Sequence, residues 1–132
     1  MNNMQMLIKL TRILEEEQQM QLEIERLETA AKGLGAAAGD TGRRVQRQDK
    51  MERAVIKLEL EKDKQAYKRR EFYIFRQQAL EIFWSLPDHA SSYVLDLYYV
   101  RGMSTRQIAE HIGMSKSWVA NKKLEGERKL TR

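Results

Sequence analysis

The scarcity of proline constrains the fold of this chain more than any other feature. Its 132 residues contain a single proline, Pro87, whereas Glu, Lys, Gln, Leu and Ala are abundant. Proline interrupts helices and the abundant residues favour them. The sequence therefore predicts an all-α protein built from long helices. A joint is expected at Pro87, because the residue before a proline is pushed out of the helical region.

Apolar residues near the N-terminus repeat with heptad spacing. Eight positions follow one another at intervals of four and three, and all but one are apolar: Met6, Leu10, Ile13, Glu17, Met20, Ile24, Leu27 and Ala31. This spacing predicts a helix over about 4–32 with a coiled-coil-like seam. The seam can pair with another chain, which predicts a homo-oligomer through residues 6–31, or it can pack within its own chain.

A glycine-rich stretch follows this helix. Four of the ten residues at 33–42 are glycines, and glycine costs about 1 kcal/mol relative to alanine inside a helix. A phosphate-binding loop is rejected because no Gly-Lys-Ser/Thr follows and no strand precedes the stretch. We therefore expect an amphipathic helix at 1–32, a flexible linker at 33–48, a long helix at 49–86 that Asp49 caps, and a C-terminal domain at 87–132.

The positive charge lies in the later parts of the chain. Residues 1–31 hold three basic and six acidic side chains, residues 32–85 hold 13 and 8, and residues 86–132 hold 8 and 5. A basic surface favours a polyanionic partner. This excess is moderate, so charge alone does not separate a DNA-binding protein from a solvated helix.

Composition also argues against several functional classes. The chain has no cysteine and only two histidines, so we expect no cofactor and no metal. It has neither an apolar run of about 20 residues nor a signal-peptide layout, which predicts no membrane contact and a cytoplasmic location. We expect no enzyme, because the consecutive carboxylates Glu15, Glu16 and Glu17 cannot converge on a helix and neither His89 nor His111 has an acid or nucleophile at a recognisable catalytic spacing.

Capping signals divide the C-terminal segment into short helices. Asp88 can cap a helix over 89–100. Ser104 and Gln107 have the spacing of a capping box, and Ser115 follows a glycine as a second N-cap. Two short helices joined by a glycine turn are typical of a helix-turn-helix.

Small and branched residues occur where such a motif needs them. Ala109 lies four residues before Gly113, and the motif needs a small residue at this position because the second helix crosses closely there. Val119 lies six residues after Gly113, where a branched residue fills the core below the second helix. The first turns of that helix face the major groove in this motif. Asn can read adenine and Lys can reach guanine, whereas Arg, Ser and the amino end of the helix suit phosphates. The candidate DNA-binding residues are Arg106, Ser115, Lys116, Ser117, Trp118, Asn121 and Lys122.

Trp118 has a second interpretation. Tryptophan on such a helix packs against a neighbouring helix more often than against DNA, because its large ring gains most from burial.

The C-terminal segment resembles region four of bacterial sigma factors, which binds the promoter −35 element. The resemblance is carried by Tyr93–Ser104, Gln107–Ala109, Gly113–Ser115 and Val119. The layout of the whole chain is similar to a set of small phage and prophage proteins with a coiled N-terminal half, regarded as regulators of late or lytic transcription. The resemblance implies double-stranded DNA as partner, bacterial RNA polymerase as a further candidate, and the cytoplasm or nucleoid of a bacterial host as location.

The chain departs from the sigma pattern in its last helix. Lys122 stands where that family usually has an apolar residue, and Gly126-Glu127 stands where it usually has Ala-Leu. We therefore expect Leu124 and Leu130 to carry the packing of this helix instead.

Two other functions fit the same layout. A small terminase-like DNA-packaging subunit also joins a helix-turn-helix to an oligomerising helical part, and it would form a ring of many subunits. A helical adaptor would use the motif to bind protein only.

Overall fold

Every regular element that the structure describes is helical. The computed structural model describes the backbone of residues 1–36 and 41–132 and the side chains of 1–33 and 48–132. Its elements are α1 (Asn3–Ala36), α2 (Thr41–Trp84), α3 (His89–Leu95), a π-helical turn (Asp96–Val100), α4 (Thr105–Ile112) and α5 (Lys116–Leu130). The all-α prediction is confirmed.

Both long helices extend into the glycine-rich stretch. α1 continues through Gly33 to Ala36, and α2 begins at Thr41. The segment at 33–48, expected as a linker, is therefore helical at both of its ends. Residues 37–40, between the two helices, lie outside the described residues.

The prediction that Asp49 caps the second helix is wrong. α2 begins at Thr41, so Asp49 lies inside the helix, where its carboxylate is 3.1 Å from the Arg53 guanidinium one turn later. Residues 43–48 contain neither glycine nor proline, and their Arg and Gln residues favour a helix. The helix can therefore begin earlier than a capping residue alone indicates.

The chain divides into two compact units. Unit 1 comprises residues 1–15 and 72–132, and unit 2 comprises residues 16–71. Unit 1 thus joins the start of α1 to the end of α2 and to all of the shorter helices. Unit 2 consists of the remaining parts of the two long helices.

In unit 2 the two long helices lie antiparallel. Glu16 on α1 is 3.6 Å from Lys68 on α2, whereas Glu28, further along α1, is 3.8 Å from Lys62. Leu58 packs between the helices with two residues of the heptad seam, Ile24 and Leu27.

In unit 1 the beginning of α1 completes a core with α2, α3 and α5. The buried members of this core are Met6, Leu7, Leu10, Ala79, Phe83, Leu86, Leu95, Tyr99 and Leu130. The side-chain amide of Asn3 also donates a 2.9 Å hydrogen bond to the carbonyl of Leu130, at the end of α5. Residues from the two ends of the sequence therefore stabilise one another.

The heptad seam of α1 is buried within its own chain. Its apolar members are buried or half-buried, in unit 1 against the end of α2 and in unit 2 against Leu58. Of the two predicted alternatives for the seam, packing within the chain is the one that the structure contains.

A π-helical turn interrupts the helix predicted at 89–100. The Asp88 carboxylate accepts a 3.1 Å hydrogen bond from the Ala90 amide and caps α3, as predicted. From Asp96 to Val100 the hydrogen bonds span five residues instead of four: the Arg101 amide, for example, donates to the Asp96 carbonyl at 3.1 Å. Such a turn leaves no mark on composition or spacing, so the sequence could not reveal it.

Candidate nucleic-acid interface

Local hydrogen bonds determine where α4 begins and ends. The Ser104 hydroxyl accepts from the Gln107 amide at 3.2 Å, and the Gln107 side chain accepts from the Ser104 amide at 2.9 Å. This is the predicted capping box. Gly113 ends the helix with φ 73°, in the left-handed region, and its amide donates to the Ala109 carbonyl at 2.9 Å.

Ser115 caps the amino end of α5. Its hydroxyl oxygen accepts from the Trp118 amide at 3.1 Å, which leaves the hydroxyl proton available to another acceptor. The amino end of a helix carries unpaired N–H groups and a positive partial charge, so this end of α5 can bind an anion.

A small apolar cluster holds α3, α4 and α5 together. Its buried members are Val94, Leu97, Ile108, Ala109 and Val119. Ala109 and Val119 lie in this cluster, as their spacing predicted. The ring of Trp118 is half-buried against it, which is the interpretation that the sequence favoured for this residue.

An ion pair attaches the inner face of α5 to the start of α3. The Lys122 ammonium lies 2.8 Å from the Asp88 carboxylate and 3.5 Å from that of Glu125. The hydrogen bond to Lys122 holds the pKa of Asp88 below its ordinary value, and the same bond raises the pKa of Lys122. Lys122 is therefore half-buried against α3, in contrast to the exposed position expected for a DNA contact.

Lys123 provides a second attachment on the same inner face. Its ammonium lies 4.3 Å from the centre of the Tyr98 ring and 2.8 Å from the Glu127 carboxylate. Burial, with Glu127 close by, raises the pKa of the neighbouring Tyr99 phenol. These contacts orient α5 about its own axis.

Packing at the end of α5 differs in part from the expectation. Leu130 is buried, as predicted, but the prediction for Leu124 is wrong because 46% of that residue is exposed. Gly126 occupies the buried position of this part of α5, next to α3. A Cβ atom there would lie 2.7 Å from a methyl carbon of Leu95, so glycine lets α5 approach α3 closely.

The opposite face of α5 is exposed. It contains Ser117, Ala120, Asn121, Leu124 and Arg128. The sequence reasoning missed three of these residues, Ala120, Leu124 and Arg128. The intervals of four, three and four from position 117 to position 128 were a signal that could have identified the face.

Ion pairing concentrates the uncompensated positive charge on this helix. Within residues 86–132 every carboxylate side chain has a basic partner: Asp88, Asp96, Glu110, Glu125 and Glu127. Four basic side chains of the same described segment have no acidic partner: Lys116, Arg128, Lys129 and Arg132. All four lie on α5 or directly after it.

The structure brings only some of the predicted DNA-binding residues together. Ser115, Lys116, Ser117 and Asn121 share the exposed amino-terminal half of α5. Arg106 lies on α4 with its guanidinium 3.4 Å from Glu110, and both side chains are largely exposed. An exposed pair of this kind is worth well under about 1 kcal/mol, so Arg106 can exchange Glu110 for another anion.

No cluster of metal-binding side chains and no membrane-spanning helix occurs in the part of the chain that the structure describes. No protein-family model, no curated protein and no solved structure matches the chain.

Proposed function

We propose that this chain is a sequence-specific DNA-binding transcription regulator of the kind found in phages and prophages. In this proposal α4, the turn and α5 act as a helix-turn-helix similar to sigma region four, on double-stranded DNA in the cytoplasm or nucleoid of a bacterial host. The observation that carries the proposal is that all unpaired cations of residues 86–132 lie on α5 or directly after it. One of them, Arg128, lies on the exposed face of α5, which also carries amide, hydroxyl and aliphatic groups.

We assign base reading to the exposed face of α5. The Asn121 amide suits adenine, and the Ser117 hydroxyl can bond to any of several base edges. Leu124 is exposed two turns after Ser117 and suits the thymine methyl group. These contacts supply sequence preference, because the major groove presents a distinct pattern for each base pair.

Phosphate binding falls to groups around this face. The Ser115 hydroxyl and the amino end of α5 offer hydrogen-bond donors. Lys116 offers charge at this end of α5, and Arg106 offers charge from α4. Arg128 supplies a further cation at the other end of the exposed face. Lys122 is outside the proposed set because Asp88 already holds its ammonium.

A selection from random duplexes followed by salt-dependent titration tests the proposal. On a selected duplex, Lys116→Ala should weaken binding to all sequences alike and lower the log–log salt slope by about 1. Asn121→Ala should cost about 1–3 kcal/mol at one base pair only. Lys50→Ala, an exposed lysine on α2, is the matched control for Lys116→Ala and should leave both the affinity and the salt slope unchanged.

Equal weak affinity for every duplex, unaffected by either α5 variant, would contradict the proposal. A complete lack of DNA binding at low salt would favour the helical adaptor instead. A ring of many subunits in solution would favour the packaging subunit.

Participation of RNA polymerase is a separate part of the proposal. The protein can act together with polymerase or bind DNA independently of it. Footprinting on the DNA that flanks the gene, with and without polymerase, distinguishes these two modes of regulation. A footprint that requires polymerase indicates a sigma-like or co-activating role, whereas the same footprint without polymerase indicates an independent regulator.

A further inference from the structure

The part of α2 that belongs to unit 2 has apolar residues on two opposite faces. One face buries Leu58 and Gln65 against α1. On the opposite face Ile56, Leu60 and Tyr67 are 59%, 63% and 65% exposed. A single exposed apolar residue is ordinary, but three large ones in one row leave an apolar surface that nothing in the described part of unit 2 covers.

The exposed row continues the heptad spacing. Positions 56, 60, 63, 67 and 70 follow one another at intervals of four and three, and we call these five residues the outer stripe: Ile56, Leu60, Asp63, Tyr67 and Arg70. Such a spacing places all five on one side of a helix, as in the seam between paired helices. The outer stripe is separate from the seam of α1, whose residues are already packed.

The two charged members of the outer stripe have opposite signs and no ion-pair partner. Asp63 and Arg70 are both exposed, and neither forms an ion pair within the described residues. They lie seven residues apart on the same face, a rise of about 10.5 Å, so they cannot pair with each other in one helix.

We propose that the outer stripe binds a second copy of this chain in the antiparallel orientation. The order of charges along α2 is reversed in such a copy, so Asp63 of each chain lies beside Arg70 of the other. A parallel copy would place Asp63 opposite Asp63 and Arg70 opposite Arg70. The antiparallel contact is self-complementary, as a two-fold symmetric dimer requires. It covers Tyr67 between the two ion pairs and Leu60 about one turn outside each of them.

This dimer does not depend on DNA binding, because unit 2 contains none of the residues assigned to DNA. Sedimentation equilibrium of the full chain, whose monomer mass is 15.6 kDa, measures it without any nucleic acid. We expect the mass to rise from monomer to dimer with concentration. A chain that remains monomeric at every concentration at which it stays soluble overturns the proposal.

Charge reversal tests the pairing of Asp63 with Arg70. Asp63→Arg alone and Arg70→Asp alone should each weaken dimerisation by about tenfold or more, because each brings like charges together. The double variant Asp63→Arg/Arg70→Asp should restore it. Glu25→Arg, an exposed reversal on α1, is the control for net charge. Equal weakening by the double variant and the single ones overturns the proposed pairing.

The apolar part of the outer stripe is tested by a substitution and a matched control. Leu60→Gln should weaken the dimer, whereas Leu22→Gln, on α1 and 52% exposed, should not. Circular dichroism confirms that each variant keeps its helices. Equal effects of the two substitutions overturn the assignment of the stripe.

Cross-linking reports the orientation directly, since the chain has no cysteine of its own. A mixture of Asp63→Cys and Arg70→Cys chains should oxidise to the mixed dimer faster than either variant does alone. Faster cross-linking within each single variant indicates a parallel arrangement and overturns the proposal.

Discussion

Gly126 is the residue at which α5 comes closest to α3. Leu95 is fully buried, so its methyl group cannot move aside to make room for a Cβ atom. We expect Gly126→Ala to cost about 1–3 kcal/mol through overpacking, more than the gain of about 1 kcal/mol in helix propensity. Urea unfolding followed by circular dichroism measures the net loss.

Gly33 is the matched control for this substitution. It also lies in a helix, but a Cβ atom there would meet nothing within 4 Å. Gly33→Ala should therefore stabilise the protein by up to about 1 kcal/mol. Stabilisation of the same size by both substitutions would show that α5 and α3 are not in close contact at Gly126.

The ion pair between Asp88 and Lys122 makes stability depend on pH. The pKa of Asp88 is held below its ordinary value of 3.8, so the folded state binds this proton less tightly than the unfolded state. The stabilisation is present above that ordinary value and is lost as pH falls through the lower folded-state pKa.

Asp88→Asn separates the ion pair from the cap, because Asn caps helices as well as Asp does. We expect the variant to be less stable than the wild type at pH 6, and the difference to shrink as the pH is lowered from about 5 towards 2. Urea titrations across this range give the difference at each pH. A difference that stays constant down to pH 2 would contradict the role of the carboxylate charge.

These single-residue features show where sequence reasoning reaches its limit. Asp88 as a cap was predictable, because a cap depends on neighbours within three residues. The second role of Asp88, as partner of Lys122, depends on a residue 34 positions away. Lys122 therefore looked like an exposed cation, and only the fold shows that a distant carboxylate holds it.

At the scale of elements, the amino end of α5 combines stability with the proposed function. Ser115 caps the helix through its oxygen and, in the proposal, donates its proton to a phosphate. Ser115→Asp should keep the cap and the free energy of unfolding, since Asp and Ser are similar N-caps. It should reduce DNA affinity at least tenfold, because the new charge repels phosphate.

Ser115→Ala is the complementary variant. Loss of the cap should lower the free energy of unfolding by about 0.5–2 kcal/mol. Thermal unfolding and anisotropy titration, carried out on both variants, separate the two roles. Undiminished DNA binding by Ser115→Asp would exclude this end of α5 from the interface.

Element types and most ends were predictable because caps, heptads and glycine turns act locally. The start of α2 was not, because a row of ordinary helix-forming residues carries no marker of where a helix begins. The exposure of Leu124 was also missed. An apolar side chain favours burial. The rotation of α5 about its axis, however, is set by the contacts of Lys122 and Lys123 with the start of α3 and the π-helical turn, and this rotation leaves Leu124 exposed.

At the scale of the whole molecule, the C-terminal helices rely on α1 for part of their core. Leu10 is fully buried in the core that includes Leu95 and Leu130. Leu10→Ala should lower the free energy of unfolding by about 2–5 kcal/mol. The fluorescence of Trp84 and Trp118, which both belong to unit 1, reports this loss.

Ile8 provides the control on the same helix, since 48% of it is exposed. Ile8→Ala should change the free energy of unfolding by less than about 0.5 kcal/mol. Equal losses from the two substitutions would mean that the start of α1 does not form part of this core.

The composition of unit 1 also has a consequence for synthesis. Met6, Leu7 and Leu10 are synthesised before unit 2, yet the first of the later residues that pack in the same core is Phe75. At about 5–20 residues per second, synthesis of the stretch between Leu10 and Phe75 takes roughly 3–13 s. Throughout this time the apolar residues at the start of α1 remain uncovered, which makes that segment a natural binding site for a chaperone.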